Sequence, residues 1–389
     1  MASQLAYVKP EMLTWARTTA NLEPIAASRK IGVPDERVEA WERGEQQPTI
    51  TQLRKAAGVY RRTLAVFYLP EPPKGFETLR DFRRIDPDIS GRWSAALHAE
   101  YRRAHYQRDA LLEIAEMGQE PIPPHWRISP LPASDEALAS TARAHLIDLA
   151  GRTPPGRSAG EYEYLGYWTR ALEDAGVLVM TTEGGYVDRT EMRAFSLYFD
   201  EVPVIMLNGA EHHHPRLFSL LHEYVHLLLH TEGLCDMTTD EWATSDDRRL
   251  EARCNRVAAE ALIPANLVLS SPMVREHEVG DAWPLSDLLE VARPFGVSAE
   301  AILRRLVTLG RVPLAAYQGF RKAQQDPPPT RRKGSGGSFY RTKVRDLGKG
   351  YVRHVTGAHT RSLIDSATTA AYLDAKVGQI SRLADAAGA

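Results

Sequence analysis

The chain has 389 residues, 43% of them hydrophobic and 25% charged, with a formal net charge of −2 at pH 7. That balance suits two or three packed domains and excludes fibrous, collagenous and wholly disordered classes, while so small a net charge singles out no polyanionic partner, which only local clusters of charge can do. Two cysteines, Cys235 and Cys254, are too few for a disulfide framework or a four-cysteine zinc module, and neither a signal-peptide pattern nor a window near 18 apolar residues occurs, so a soluble, cytoplasmic chain with no membrane role is expected.

From Glu11 to Leu69 short apolar-periodic helices alternate with turn signals. EPIAASRKIGVPDERVEAWERGEQQPT predicts a helix over about Glu23 to Lys30, a turn at Gly32, and a second helix opened by Pro34 and closed after Arg43 by Gly44. The run VEAWERGEQQPTITQLRKAAGVY closely resembles the repressor-type (XRE) helix-turn-helix proteins, with Trp-Glu-x-Gly and Pro-Thr in their usual order. That resemblance implies transcription regulation through DNA, and Gln46, Gln47, Arg54, Lys55, Arg61 and Arg62 are the candidate contacts. The segment from Pro34 to Glu45 nevertheless sets Asp35, Glu36, Glu39, Glu42 and Glu45 against Arg37 and Arg43, a surface that repels phosphates. DNA reading and docking onto a protein therefore both stay open.

LPEPPKGFET marks a boundary near residue 72. A long amphipathic helix is expected over 91–118, a proline break at EPIPPHWRISPLPASDE, and further helices over about Asp135 to Leu149 and Tyr162 to Ala175. GVLVMT, AFSLYF and VPVIMLN read as three strands, the last two joined tightly at Asp200 and Glu201. An apolar helix follows, then a loop over 231–247, a second helix RRLEARCNRVAAEAL ended by Pro264, and more helices through ILRRLVTLG. QQDPPPTRRKGSGGSFYRTK is linker chemistry, and SATTAAYLDAKVGQISRLA a helical close. The expected domains are 1–72, a helical connector over 73–155, a third over 156–322, and a basic linker with a helical tail over 323–389.

SLLHEYVHLLLH places His222 and His226 four residues apart, hence on one helical face and about 6 Å apart along the axis, where two imidazoles can converge on one zinc ion. Glu223 stands where HExxH enzymes keep the general base. His230, about 12 Å from His222 on a straight helix, is too far to share the ion and is read as a residue behind the ligands, on the substrate side, or structural. A helix apolar on nearly every side would bury these polar groups, and a dication offers a partner to each. A third ligand is needed; the downstream helix offers Glu251, with Asn255 one turn later to orient a liganding histidine. His212, His213 and His214 read as a solvated loop, and Cys235 and Cys254 as small buried side chains.

The order MRAFSLYFDEVPVIMLN, RLFSLLHEYVHLLLH, LEARCNRVAAEALIP resembles the ImmA/IrrE metallopeptidases over about residues 160 to 310. The resemblance implies an α+β, mainly helical protein: a helix-turn-helix bundle, a zincin-like metallopeptidase domain with a small sheet, and a helical C-terminal tail. It implies His222, His226 and Glu251 as zinc ligands and Glu223 as base, in an endopeptidase that cleaves a regulatory protein such as an XRE-type repressor in stress response or mobile-element control. Tyr224 and Val225 replace the small residues common inside the motif and are expected to narrow the cleft. If the strands at 194–199 and 202–207 form an edge hairpin, a peptide can add to it as a further strand. The basic, aromatic run Arg331, Arg332, Lys333, Phe339, Tyr340, Arg341, Lys343, Arg345, Lys349, Tyr351 and Arg353 suits either a flexible arm for nucleic acid or an acidic partner, or a solvated linker. The alternative from another class is a helix-turn-helix regulator or antitoxin-like module whose protease fold serves as a sensing or docking scaffold.

Overall fold

Proline and glycine decide where the first helices begin and end. In the computed structural model, which describes residues 4–20, 22–60, 62, 64–72, 94–184, 186–230, 233–235, 245–280, 282–323 and 338–388, α1 (Pro10–Thr18) and α2 (Pro24–Ile31) both open on proline, which needs no hydrogen bond there. Gly32, at φ 77°, closes α2 in the left-handed conformation. The chain divides into two compact units, Met1–Arg103 and Ala104–Ala389.

In the first unit Pro34 does not open the next helix. Residues 34–36 form a turn, and α3 (Arg37–Glu42) is a six-residue helix. α4 (Ile50–Tyr60) and a 3-10 turn at Leu64–Tyr68 complete a helical cluster around Leu13, Ile31, Val38, Trp41, Leu53 and Phe67. Arg17 grips Glu42 with two hydrogen bonds of 2.7 and 2.9 Å, tying α1 to α3.

The division between the units falls inside α5 (Ala95–Gly118). In the second unit α6 (Asp135–Ala150) is capped by Ser134, whose hydroxyl accepts from the Ala137 N–H, and ends on left-handed Gly151. α7 (Glu161–Asp174) leads into a four-stranded sheet of β1 (Leu178–Thr181), β2 (Ala194–Leu197), β3 (Val204–Leu207) and β4 (Gly233–Cys235), in the order β1-β3-β2-β4. β1 runs parallel to β3; β2 is antiparallel to both β3 and β4. Every residue of β1, β2 and β3 is buried, which is why they read as continuous apolar runs.

Two expectations about this sheet are corrected. The β2–β3 hairpin is interior, with β1 on one side and β4 on the other, so it offers no edge to a peptide. Its connection is six residues, 198–203, in which Val202 takes φ 52°, and Asp200 is held by Arg127.

α8 (His213–Leu228) packs on the sheet and on α7, and α9 (Ser245–Leu262) packs on α8 and α6. Asp135, at the start of α6, takes Arg253 at 2.8 Å and Arg256 at 2.9 Å from α9. Four helices follow α9 closely or pack in sequence behind it: α10 (Ala265–Ser270), α11 (Pro272–Glu276), α12 (Leu285–Ala292) and α13 (Ala299–Thr308), with Ser298 capping the last. α14 (Leu314–Ala323) ends this region.

The C-terminal segment is not a flexible arm over its described part. It folds as α15 (Phe339–Leu347), α16 (Lys349–Thr360), α17 (Ser366–Tyr372) and α18 (Ile380–Ala387), with α15 and α16 packed on β1. Arg353 donates to Glu173 at 2.9 Å, Lys343 to Asp374 at 2.7 Å and Arg345 to Asp346, while Tyr351 is buried. Arg331, Arg332 and Lys333 lie outside the described residues. The linker reading failed where the acid was remote, because Glu173 lies 180 residues from Arg353.

Gly348, between α15 and α16, has φ 91°, and a Cβ there would stand 2.3 Å from the Val179 carbonyl oxygen. Gly348→Ala is expected to lower unfolding stability by about 1–3 kcal/mol from the backbone conformation alone, with the clash added, as urea denaturation would read.

Candidate metal centre

α8 is buried on all sides, with Leu217, Leu220, Leu221, Tyr224, Val225 and Leu228 in the core cluster. Against it α9 presents Cys254, Ala258 and Ala261, small enough to let the two helices approach closely. That packing brings Glu251 to the face of α8 that carries His222 and His226.

The His222 and His226 Nε2 atoms are 3.0 Å apart. Glu251 Oε2 lies 3.3 Å from His222 Nε2, and Oε1 lies 3.1 Å from His226 Nε2. Ligand atoms held at zinc's usual 2.0–2.1 Å in a tetrahedron are about 3.3 Å from one another. The donor set, two imidazoles and a carboxylate, and its separations therefore fit a zinc ion. His222 and His226 are 4% and 1% exposed, whereas the Glu251 side chain keeps 43% of its surface, so the group opens to solvent on the α9 side.

Glu223 is wholly buried, and among the described residues neither of its carboxylate oxygens has a hydrogen-bond partner. An unpaired buried carboxylate costs several kcal/mol, so packing alone does not account for it. Its charge lies close enough to His226 to favour the imidazolium. Burial pushes the His226 pKa down, but hydrogen bonds to Cys254 and Glu251 outweigh it and hold the ring up to about 10. Burial likewise opposes the charge on Glu251, yet the two histidines hold it down to about 2. A cation between these groups would take over both roles, since imidazole binds a metal through its neutral form.

The remaining sequence candidates are placed differently. Asn255 does not orient His222, whose Nδ1 has no partner among the described residues; it lines a cavity of about 500 Å³ with Phe218, Ser219, Ala252 and Ala259. His230 sits beyond the helix end at φ 56°, its ring 4.9 Å from Tyr198. Tyr224 and Val225 do not narrow a cleft. Both face the core, and the Tyr224 hydroxyl donates to the Trp126 carbonyl at 2.9 Å. His213 and His214 belong to the first turn of α8, and His213 is 8% exposed with its ring 5.0 Å from Tyr162, so the solvated-loop reading of the triplet is also corrected.

Cys254 is buried, as expected of a small apolar side chain, but it also touches His226. Its place three residues after Glu251, on the same helical face, was the available signal. Phe218, one turn before His222 and 6.1 Å from it ring to ring, was the other residue the sequence did not single out.

In the first unit Arg62 is half-buried: it donates to Thr19 Oγ1 at 2.9 Å, lies 4.5 Å over Trp15, and burial lowers its pKa to about 10. Gln47 accepts from the Val8 N–H. Gln46, Arg54 and Lys55 are exposed, and Arg61 lies outside the described residues. On the neighbouring surface Arg29 is paired with Asp35, and Arg43 with Glu39 and Glu45.

Residues 172–307 match the family model described as Peptidase_M78, the IrrE N-terminal-like domain. The match spans β1 to α13 and contains the whole His222, Glu223, His226 and Glu251 group. It supports the ImmA/IrrE family and a metallopeptidase-type function. No curated protein matches the chain. Among the described residues no helix is long and apolar enough to cross a membrane.

Proposed function

We propose that this protein is a zinc-dependent endopeptidase that cleaves a regulatory protein. The observation that carries the reading is the convergence of His222, His226 and Glu251 within 3.0 to 3.3 Å beside a buried carboxylate, Glu223, that has no hydrogen-bond partner among the described residues. His222, His226 and Glu251 would hold the ion. When bound, zinc polarises a carbonyl oxygen and acidifies water. Glu223 takes the proton of the attacking water on a carboxylate oxygen and passes it to the leaving amine nitrogen. The buried flanks of α8 fix both histidines and Glu223 in place, and the cavity at Phe218, Ser219 and Asn255 receives an apolar side chain of the substrate.

The substrate is a protein, an XRE-type repressor in stress response or mobile-element control, and the setting is cytoplasmic. Incubating the full chain with repressors encoded near it, with and without chelator, tests this reading. Chelator-sensitive cleavage supports it, and intact repressors under all conditions contradict it.

The helix-turn-helix-like unit serves protein docking better than DNA reading, because Gln47 and Arg62 are used inside the unit and the acidic face keeps Arg29 and Arg43 paired. Full-length protein titrated against operator duplexes at two salt concentrations is expected to show only weak, sequence-independent binding. Tight sequence-selective binding would restore the DNA reading.

A further inference from the structure

A second cavity, of about 850 Å³, lies between α7, β1, the first turns of α8, and α15 and α16. Its charged lining is strongly one-sided: Arg152, Arg170, Arg216, Arg345, Lys349 and Arg353 face it, against two acids. Both acids are already engaged. Glu173 accepts from Gly350 and Arg353, and Glu163 accepts from the Gly160 N–H.

Some of the cations are engaged as well: Arg170 with Asp174, Arg345 with Asp346, Arg353 with Glu173. Arg216 is not. It is 7% exposed, its Nε has no partner, and its side chain makes no hydrogen bond or ion pair among the described residues. Burial first, and then the positive charge of Arg345, press its pKa downward, and the opposing effects of Tyr162, Asp346 and Glu211 do not restore it. Lys349 stands exposed at the rim, likewise without an ion pair among the described residues. A buried guanidinium near a second cation is unfavourable unless an anion completes it. Guanidinium and ammonium groups around a concave site favour phosphate oxygens, which accept several charge-assisted hydrogen bonds each.

We propose that this cavity binds a small molecule carrying two or more phosphates, with Arg216 and Lys349 as its principal cationic contacts. A cavity of this volume is in the range of small-molecule sites, and its concave walls suit such a ligand better than a nucleic-acid strand. Arg345, Gly348, Lys349 and Arg353 lie beyond residues 172–307, so half of the cationic wall belongs to the C-terminal helices rather than to the family-matched region. The site stands whether or not α8 holds a metal. Arg216 and His222 share that helix, about 9 Å apart along its axis, so a ligand on Arg216 bears on the element that carries the metal group.

Calorimetric titration of the full chain with inorganic triphosphate and with ATP tests the site, using Arg216→Met, Lys349→Gln and, as a control on the first unit, Arg54→Gln. Saturable binding is expected for the wild type and for Arg54→Gln, weaker by about tenfold in Arg216→Met and about threefold in Lys349→Gln. Lys349 is on the surface, so its variant keeps the test valid if Arg216→Met folds poorly. No saturable binding of either probe overturns the proposal. So does binding that both pocket variants leave unchanged, which would place the polyphosphate elsewhere, for instance on a metal at His222 and His226.

Discussion

Glu223→Gln is expected to leave zinc bound and the fold intact while lowering peptide cleavage by about 10²–10⁴-fold. Glutamine keeps the shape of the side chain and cannot take a proton. Glu223 is wholly buried and its oxygens have no hydrogen-bond partner among the described residues, so an amide of the same shape breaks no such bond and is expected to hold the stability of the metal-free protein. His222, His226 and Glu251 keep their mutual geometry, because none of the close contacts that join them passes through Glu223. Stoichiometric metal, an unchanged melting temperature and lost cleavage together would assign Glu223 to the chemistry. Unchanged cleavage would make it a residue of packing alone.

Glu173→Ala is expected to be the most destabilising single change outside the metal centre. The carboxylate is almost fully buried, with one oxygen taking the Gly350 N–H at 2.7 Å and the other Arg353 at 2.9 Å. Burial raises its pKa, while Gly350 and Arg353 pull the other way. Removing one partner of a buried pair leaves the other charge without compensation, which costs about 3–5 kcal/mol. In a unit of this size that corresponds to a fall of roughly 10 °C in melting temperature. Arg353 retains 19% of its side-chain surface, so the lower half of that range is the better expectation. The double variant Glu173→Ala, Arg353→Met should lose less than the sum of the two single changes, because each removes what the other leaves stranded. A loss below about 1 kcal/mol in Glu173→Ala would show that α16 does not depend on this pair.

Which of these features the sequence announced depends on how far each one reaches along the chain. His222, Glu223 and His226 were legible because one helical face at a spacing of four carries all three, and because the surrounding leucines predicted burial. Glu251 was legible as a carboxylate on a downstream helix, and α9 brings it to the two histidines. The same periodic reasoning set His230 outside the ligand group, where the helix ends at φ 56°.

What the sequence did not disclose depends on partners far along the chain. The C-terminal cations looked solvated because their local neighbours hold few acids, and Glu173 lies 180 residues away. Arg62 looked available for phosphates, yet it is folded over Trp15 and bonded to Thr19. The hairpin looked like an edge because β4 is only three residues long and carries no pattern of its own. Tyr224 looked like a cleft residue because spacing alone gives a side chain's angular place on a helix, and only the tertiary packing of Trp126 shows which side is core.

Metal content measured on the purified full chain after dialysis against trace zinc tests the central claim most directly, with Glu251→Ala and His226→Ala beside the wild type. One zinc per chain is expected for the wild type and loss of most of it in both variants, since each removes one of three converging ligands. A wild type without stoichiometric metal, or variants that retain it in full, would contradict the claim that His222, His226 and Glu251 hold a metal for Glu223 to work beside.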